Sequence, residues 1–185
     1  MAAHSFHRGS LALDFVGTLG RRASTPVERL ERPVDFVEWS YGAGLSDRAL
    51  RVSAGRFAAA LALREAIAAV LAAALDGEPL PATDVRRINA AAAAVRPAAL
   101  DARTGGRIDA GRTVRTVLGE IAVDAIALVA DERDRLVRCE LPECRAFLLC
   151  PRSGERRRWC SMERCGNVAK VRAYRERRGA PRPRR

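Results

Sequence analysis

The chain has 185 residues, of which 33 are Lys or Arg and 22 are Asp or Glu, so its formal net charge is +11. Apolar residues make up 48% and aromatic residues only 5%, a composition that excludes collagen-like, disordered and disulfide-rich secreted chains. No stretch of about 18 uncharged apolar residues occurs, which argues against a membrane span, and the first 20 residues lack the pattern of a signal peptide. We therefore expect a cytoplasmic protein with reduced thiols and no membrane partner.

Charge and cysteine are concentrated at one end of the chain. Residues 138–185 contain 15 basic and 5 acidic residues, a net charge of +10, whereas residues 1–137 have a net charge of +1. All five cysteines lie within the last 48 residues. This division predicts a mainly α fold with two modules, a helical domain over residues 1–134 and a small basic module over 135–179. We expect residues 180–185 to form a disordered basic tail.

Two helices are predicted in the first half of the helical domain. Residues 34–44, VDFVEWSYGAG, predict a short helix that ends at Gly42 or Gly44 and places its aromatic residues in the core. Residues 57–75, FAAALALREAIAAVLAAAL, contain no proline or glycine and are rich in alanine and leucine, so they predict a longer helix. Because this segment is apolar almost all round, we expect the helix to be buried.

Three further elements are predicted in the second half of that domain. Residues 84–96 predict an alanine-rich helix, with Thr83 or Asp84 as its N-cap and the following proline at its end. Residues 98–112 contain a Gly-Gly pair between short alternating runs, which indicates a small β-hairpin. Residues 113–131 have apolar residues at helical spacing and polar residues opposite them, so they predict an amphipathic helix.

A charged residue interrupts the apolar surface of the 57–75 helix. Arg64 lies in line with Leu61 and Ala68, and a buried cation needs a partner or a path to water. Asp14 is likewise embedded in an apolar segment, LALDFV. We expect Asp14 and Arg64 to form a structural ion pair that joins the N-terminal segment to this helix. The alternative is that both residues line a pocket for a small-molecule effector.

Four of the five cysteines form two equally spaced pairs. Cys139 and Cys144 are spaced C-x4-C, as are Cys160 and Cys165, with 15 residues between the two pairs. Zinc binds four thiolates in a tetrahedron, and it would stabilise a segment of about 45 residues that is too short to build a sufficient core. The spacing predicts one Zn²⁺ per chain, the alternative being ordinary buried or free thiols. Cys150 is expected to be a small core residue or the end of a strand, or alternatively an oxidisable thiol.

A basic helix is predicted at the end of the second module. Residues 162–178 predict this helix, with Ser161 as its N-cap and Gly179 at its end. Arginine side chains match phosphate oxygens and guanine edges, and a helix fits the major groove of DNA. The alternative is a solvated arginine-rich tail without a ligand. The residues expected to contact nucleic acid are Arg156, Arg157, Arg158, Asn167, Lys170, Arg172, Arg175, Arg177 and Arg178.

These motifs resemble two known domains, and together the two matches cover most of the chain. The paired cysteines, the FLL run and RRRWCSMERCGN-x-x-K before a basic helix resemble the CGNR zinc finger. The segments GSLALDFVGTLGRR, RPVDFVEWSYGAGL and ALREAI are similar to the ABATE domain. The resemblance implies a bacterial, stress-related transcription regulator, in which the front domain senses a ligand or mediates assembly and the finger binds DNA. It also implies that Cys139, Cys144, Cys160 and Cys165 are the zinc ligands and that Lys170 and the following arginines face nucleic acid.

The sequence departs from the pattern of these families at three positions. Val168 stands where the finger has an Arg after CGN, which removes one expected contact with DNA. Cys150 stands in place of an Asp after the apolar run. Gly17 stands where the front motif has an Asn, which bears on any inherited ligand pocket.

The expected function is that of a zinc-dependent DNA-binding regulator, with a homodimer and an unknown small-molecule effector as further expected partners. One alternative is an RNA-binding or ribosome-associated protein that uses the same basic surface. Another is a thiol-based redox switch, in which oxidation of Cys150 or of a zinc thiolate releases the metal. We do not expect an enzyme, because a site of four cysteines leaves no open position for a catalytic water.

Overall fold

The computed structural model describes residues 6, 8–95, 99–108, 112–152, 154 and 156–179, and within them the fold is mainly helical, as predicted. The helices are α1 (Leu11–Val16), α2 (Pro33–Gly42), α3 (Ala54–Asp76), α4 (Ala82–Ala92), α5 (Val114–Ala130) and α6 (Asn167–Gly179). Short strands pair in antiparallel fashion, β1 (Leu19–Gly20) with β2 (Val27–Glu28), β3 (Ala99–Leu100) with β4 (Arg107–Ile108), and β5 (Leu136–Arg138) with β6 (Phe147–Leu149).

The long helix α3 is the centre of the N-terminal domain. Its first turn is capped by the Ser53 hydroxyl, which accepts a hydrogen bond from the Arg56 amide, and it ends at Gly77, whose φ of +74° is left-handed. The helix packs against α1, α4 and α5. By length and composition α3 could cross a membrane, but 56% of its most apolar window is buried. The prediction of a buried core helix over 57–75 is therefore confirmed.

Aromatic packing joins α1 to α2. The Phe15 ring lies 5.0 Å from Trp39 and 6.1 Å from Phe36, centroid to centroid, and all three side chains are fully buried. Edge-to-face and tilted arrangements of this kind stabilise a core beyond the area that they bury. After α2 the chain turns through Gly44, whose φ is +72°, so the predicted glycine end of this helix is confirmed.

The helix α4 differs from its prediction at both ends. It begins at Ala82 with Pro81 as N-cap, and no side chain caps it, so the predicted caps at Thr83 or Asp84 are wrong. The helix ends at Ala92. Beyond it, the amides of Ala94 and Val95 donate to carbonyl oxygens three residues earlier, as in a 3₁₀ turn. The predicted last residue and the proline after it lie outside the described residues.

The next two elements agree with their predictions. The hairpin β3–β4 surrounds the Gly-Gly pair, in the register Ala99 opposite Ile108 and Leu100 opposite Arg107. The helix α5 then begins after Thr113, whose side chain accepts a hydrogen bond from a backbone amide of the first turn. Its apolar face packs against α1, α3 and α4.

The hairpin β5–β6 connects the two modules because its two faces belong to different cores. Leu136 and Phe147 are buried in the core of the N-terminal domain. Val137 and Leu148, which point to the opposite face, are buried with the cysteines in a second, smaller core. Because successive side chains of a strand point to opposite faces, this hairpin packs into both cores and so links the finger to the N-terminal domain.

The predicted helix over 162–178 begins with a wider turn than expected. Residues Met162–Gly166 form one turn of π-helix, capped by the Ser161 hydroxyl as predicted, and α6 continues from Asn167 to Gly179. A Cβ atom at Gly166 would lie 3.0 Å from the end of the Met162 side chain and 3.3 Å from the Trp159 ring, so the turn is closely packed at this position. The predicted disordered tail, 180–185, lies outside the described residues.

Candidate zinc centre and basic groove

The four paired cysteines meet at one point of the finger. Cys139 follows β5, and Cys144 lies in the turn before β6. Cys160 lies just before the π-helical turn, and Cys165 lies within it. Their sulfur atoms all lie within 4.8 Å of one another. The Sγ atom of Cys160 is 3.6 Å from that of Cys144 and 3.3 Å from that of Cys165.

This arrangement fits a zinc ion. A tetrahedron with Zn–S bonds of about 2.3 Å places its sulfurs about 3.8 Å apart, close to the spacing of these thiols. Three of the four cysteines are buried, as in a closed structural site. The Cys160 amide also donates to the Sγ atom of Cys139 at 3.5 Å, a contact that favours a thiolate there. The four cysteines hold one zinc ion.

The thiols differ in their acidity when no cation balances them. Hydrogen bonds to Cys139 and then Cys160 lower the pKa of Cys144. The pKa of Cys160 is raised by its hydrogen bonds to Cys139 and then Cys144, and the pKa of Cys165 is raised first by burial. A bound metal needs thiolate ligands, so it would displace the protons that the raised pKa values favour on Cys160 and Cys165.

Cys150 lies apart from this cluster. It follows β6, is partly buried against the second core, and its Sγ atom accepts a hydrogen bond from the Arg157 amide at 3.4 Å. Its carbonyl oxygen accepts hydrogen bonds from the Arg135 side chain. This position agrees with the predicted core residue at the end of a strand.

Ion pairs and hydrogen bonds fix the finger to the N-terminal domain. The Arg138 guanidinium contacts both carboxylate oxygens of Asp76, at 2.5 and 2.8 Å, at the end of α3. A hydrogen bond from Arg138 lowers the pKa of Asp76. On another side, the Ser24 hydroxyl donates to the carbonyl oxygen of Glu143 at 3.0 Å. The finger is thus held from two directions.

The residues predicted to bind nucleic acid do not share one surface. In the finger loop, Arg158 pairs with Glu140 at 2.8 Å and stacks over Trp159, while Arg156 is exposed. Arg157 is partly buried. Arg156 and Arg158 are therefore the exposed members of the three loop arginines, and Arg158 is the one that pairs with Glu140.

Helix α6 divides the other predicted contacts between two faces. Asn167, Arg172 and Arg175 line a groove beside the N-terminal domain. Lys170 and Arg177 are exposed and lie outside that groove. The remaining predicted contact, Arg178, is also exposed and stacks over the ring of Tyr174, 5.1 Å from its centroid.

The predicted ion pair between Asp14 and Arg64 is wrong. Arg64 instead donates to both carboxylate oxygens of Glu28 at 2.6 Å, and also contacts Thr18 and Glu65. Asp14 accepts a hydrogen bond from the Arg8 amide at 3.0 Å. The reason is that the turn after α1 brings β2 and its glutamate beside α3, closer to Arg64 than the side chain of Asp14. Neither Asp14 nor Arg64 lines the groove beside α6, so a ligand pocket formed by these two residues stays a prediction.

The groove beside α6 has a volume of about 810 Å³ and lies between the two modules. Its walls come from α1 and the segment after it, from the cysteine turns, and from α6. Sequence reasoning did not find this groove, because its members are far apart in the chain. The arginines that line it are Arg8, Arg21, Arg22, Arg29, Arg164, Arg172 and Arg175.

Two glycines shape the N-terminal wall of the groove. A Cβ atom at Gly17 would lie 2.1 Å from Nε of Arg8, and one at Gly20 would lie 2.7 Å from Nη1 of Arg29. Each glycine therefore lets a guanidinium lie directly against the backbone. The two glycines are visible in the sequence as G-T-L-G after α1. Only the fold shows that the side chains packed against them are those of Arg8 and Arg29.

Two family models match the chain. Residues 9–132, more than half of the sequence, match the ABATE family, described as "Putative stress-induced transcription regulator". Residues 135–178 match the CGNR zinc finger, which contains the four clustered cysteines. No curated protein matches the chain. The chain thus belongs to the ABATE family and ends in a CGNR zinc finger.

Proposed function

We propose that this protein is a transcription regulator whose zinc finger binds duplex DNA and whose N-terminal domain controls that binding. The observation that supports the proposal best is the concentration of charge around an ordered metal site, since residues 138–185 have a net charge of +10. Cations on such a surface bind phosphates and release counterions. A cytoplasmic location belongs to the same proposal.

The outer face of α6 offers the most accessible cations. Lys170 and Arg177, which lie two helical turns apart on that face, are exposed there, and neither forms an ion pair with another described residue. By contrast, Arg172 on the groove side is paired with Glu143 at 2.8 Å. An unpaired cation binds phosphate without first breaking a contact, so the outer face is the better candidate for the DNA surface.

Zinc has a structural role in this proposal. The metal joins the turn after β5 to the π-helical turn that precedes α6, so it sets the direction in which α6 leaves the finger. Four thiolates leave no coordination position for a catalytic water, which supports a binding role rather than an enzymatic one. Removal of zinc is expected to release α6 and the DNA together.

Duplex DNA binding across a salt series tests the proposal. If the zinc-loaded protein contacts about five to eight phosphates, the logarithm of its association constant falls with the logarithm of salt concentration at a slope of about −4.5 to −7. Chelation of zinc is expected to abolish binding. Binding that is unchanged by chelation, or independent of salt, would contradict the proposal.

A pair of double variants tests which surface is used. Lys170→Gln with Arg177→Gln is expected to make the salt slope less negative by about 1.8, because two phosphate contacts are lost. Arg51→Gln with Arg56→Gln removes the same charge from exposed positions in the N-terminal domain and is the matched control. Equal losses in both variants would show that net charge, rather than this face of α6, drives binding.

The alternatives predict different results in the same assays. A protein specific for RNA would bind an RNA duplex more tightly than DNA at matched salt. A redox switch would lose zinc on treatment with peroxide and regain it on reduction. A homodimer would show twice the monomer mass in solution, with or without DNA.

A further inference from the structure

Partnerless polar atoms are concentrated in the groove between the two modules. Among the described residues, the buried side-chain polar atoms without a hydrogen bond are Nε and Nη1 of Arg8, Nε of Arg22 and Oε2 of Glu143. All three residues line this groove. A buried polar atom without a partner is costly, and the occurrence of several such atoms at one place indicates a partner that the described residues do not supply.

Arg8 is the central residue of this site. It is only 8% exposed, and its backbone is fixed from two sides, since its amide donates to Asp14 and its carbonyl oxygen accepts from the Leu149 amide in the finger. Its guanidinium lies against Gly17, as described above. The backbone of Arg8 is therefore fixed before any ligand arrives, which reduces the entropy lost on binding.

The groove has an excess of positive charge. Seven arginines line it, against Glu143 and Glu163. Arg172 is neutralised by Glu143, and Arg22 by Glu65 at 2.5 Å. Burial lowers the pKa of Arg29, and the charges of Arg164 and Arg8 lower it further. These arginines are thus close enough to repel one another, and an anion between them would relieve that repulsion.

Apolar side chains complete the lining. Leu13 and Val16 of α1 lie on one wall, and Val168 and Val171 of α6 on the other. The two valines are 41% and 47% exposed, although they face the groove rather than the DNA surface proposed above. A volume of about 810 Å³ lies within the range of pockets that bind drug-sized molecules.

We propose that this groove binds a small amphipathic anion, with a carboxylate or phosphate group held by Arg8 and Arg29. The apolar body of this ligand lies between α1 and α6. A hydroxyl or amine of the ligand donates to the free carboxylate oxygen of Glu143. Guanidinium groups bind carboxylate and phosphate through paired hydrogen bonds, which gives the site its selectivity for these two groups.

Such a ligand would touch both modules at once. Arg8 and Arg29 belong to the N-terminal domain, whereas Val168 and Val171 belong to the helix that leaves the zinc site. Binding would hold α6 against the N-terminal domain and set its position relative to DNA. This regulatory consequence rests on the proposed function, whereas the binding of the anion does not.

The first test uses 8-anilinonaphthalene-1-sulfonate, a fluorescent anion with an apolar body, titrated into the full-length zinc-loaded protein. We expect saturable binding of one molecule per chain. Arg8→Gln is expected to weaken it by about tenfold or more, because charge-assisted hydrogen bonds are lost. Arg56→Gln, at an exposed position on α3, is the matched control and is expected to leave binding unchanged.

A second variant tests the same site without removing a charge. Gly17→Ala places a methyl group where the guanidinium of Arg8 now lies, while the φ of −69° at Gly17 suits alanine. The arginine must therefore swing away, and binding of the dye is expected to fall as in Arg8→Gln, with an unchanged melting temperature. Equal affinity of the wild type and both groove variants would overturn the proposal.

Competition identifies the anionic group and separates this proposal from DNA binding. Displacement of the dye by inorganic phosphate, or instead by benzoate, supports the site and distinguishes phosphate from carboxylate. Displacement by a DNA duplex, with DNA affinity reduced in Arg8→Gln, would assign the groove to the DNA surface and overturn the proposal. Dye binding in a protein that does not bind DNA would refute the proposed function alone.

Discussion

Replacing Glu28 by Gln tests whether the buried ion pair of Arg64 stabilises the N-terminal domain. The Arg64 side chain is 4% exposed, and its two terminal nitrogens each lie 2.6 Å from an oxygen of Glu28. Burial opposes the charge of Arg64, but the hydrogen bonds and charge of Glu28 outweigh this effect and raise its pKa. The substitution leaves the cation in place and removes its principal partner.

The expected loss follows from the exposure of the two partners. Breaking a fully buried ion pair costs about 3–5 kcal/mol, because one charge is left without compensation. The Glu28 side chain is 32% exposed, and Glu65 still contacts Arg64 at 2.9 Å, so we expect a lower value of about 2–3 kcal/mol. For a chain of this length, the melting temperature should fall by about 5–10 °C.

Thermal and urea unfolding of the zinc-loaded protein measure this loss. Glu31→Gln is the matched control, since Glu31 lies close by in the chain and is exposed. Replacing both partners, by Glu28→Leu with Arg64→Met, should cost less than Glu28→Gln alone, because no charge is then left buried. A loss for Glu28→Gln no larger than that of the control would refute this account of Arg64.

Three further predictions concern acid, helix glycines and the metal. The unfolding free energy should fall as the pH drops below about 4.5. This follows because Arg64 and Arg22 lower the pKa values of Glu28 and Glu65 against the opposing effect of burial; in Arg64→Met, a pH titration of stability should show a smaller fall. Gly55→Ala meets open space in α3 and should stabilise by about 0.5–1 kcal/mol. Gly119→Ala meets Val95 at 2.8 Å and the Ala91 carbonyl at 3.1 Å and should destabilise by about 1–2 kcal/mol; equal melting temperatures for the two variants would contradict this packing. Zinc analysis should find one ion per chain in Cys150→Ser and none in Cys144→Ser, and loss of the metal from both would place Cys150 in the site.

Local features were predictable because they depend on residues that are near one another in the chain. Alanine and leucine without proline or glycine define α3, whatever it packs against. The Gly-Gly pair between alternating residues predicts the β3–β4 hairpin in the same way. The zinc centre was also predictable, because the C-x4-C spacing brings two thiols together in each turn and one metal joins the two turns.

The tertiary structure decided which side chains meet across the fold. Arg64 needed a buried partner on any reading of the sequence, but only the turn between α1 and β2 makes that partner Glu28 rather than Asp14. The basic character of α6 is evident from the sequence, whereas the packing of the finger on the N-terminal domain decides that Arg172 and Arg175 face the groove and Arg177 does not. The guanidinium of Arg8 could not be assigned a place at all, since its position depends on Gly17, on Leu149 and on a helix more than 150 residues away. Composition and spacing determine elements and metal ligands because those interactions are local or share one ion, whereas the pairing of charges between distant segments depends on how those segments pack.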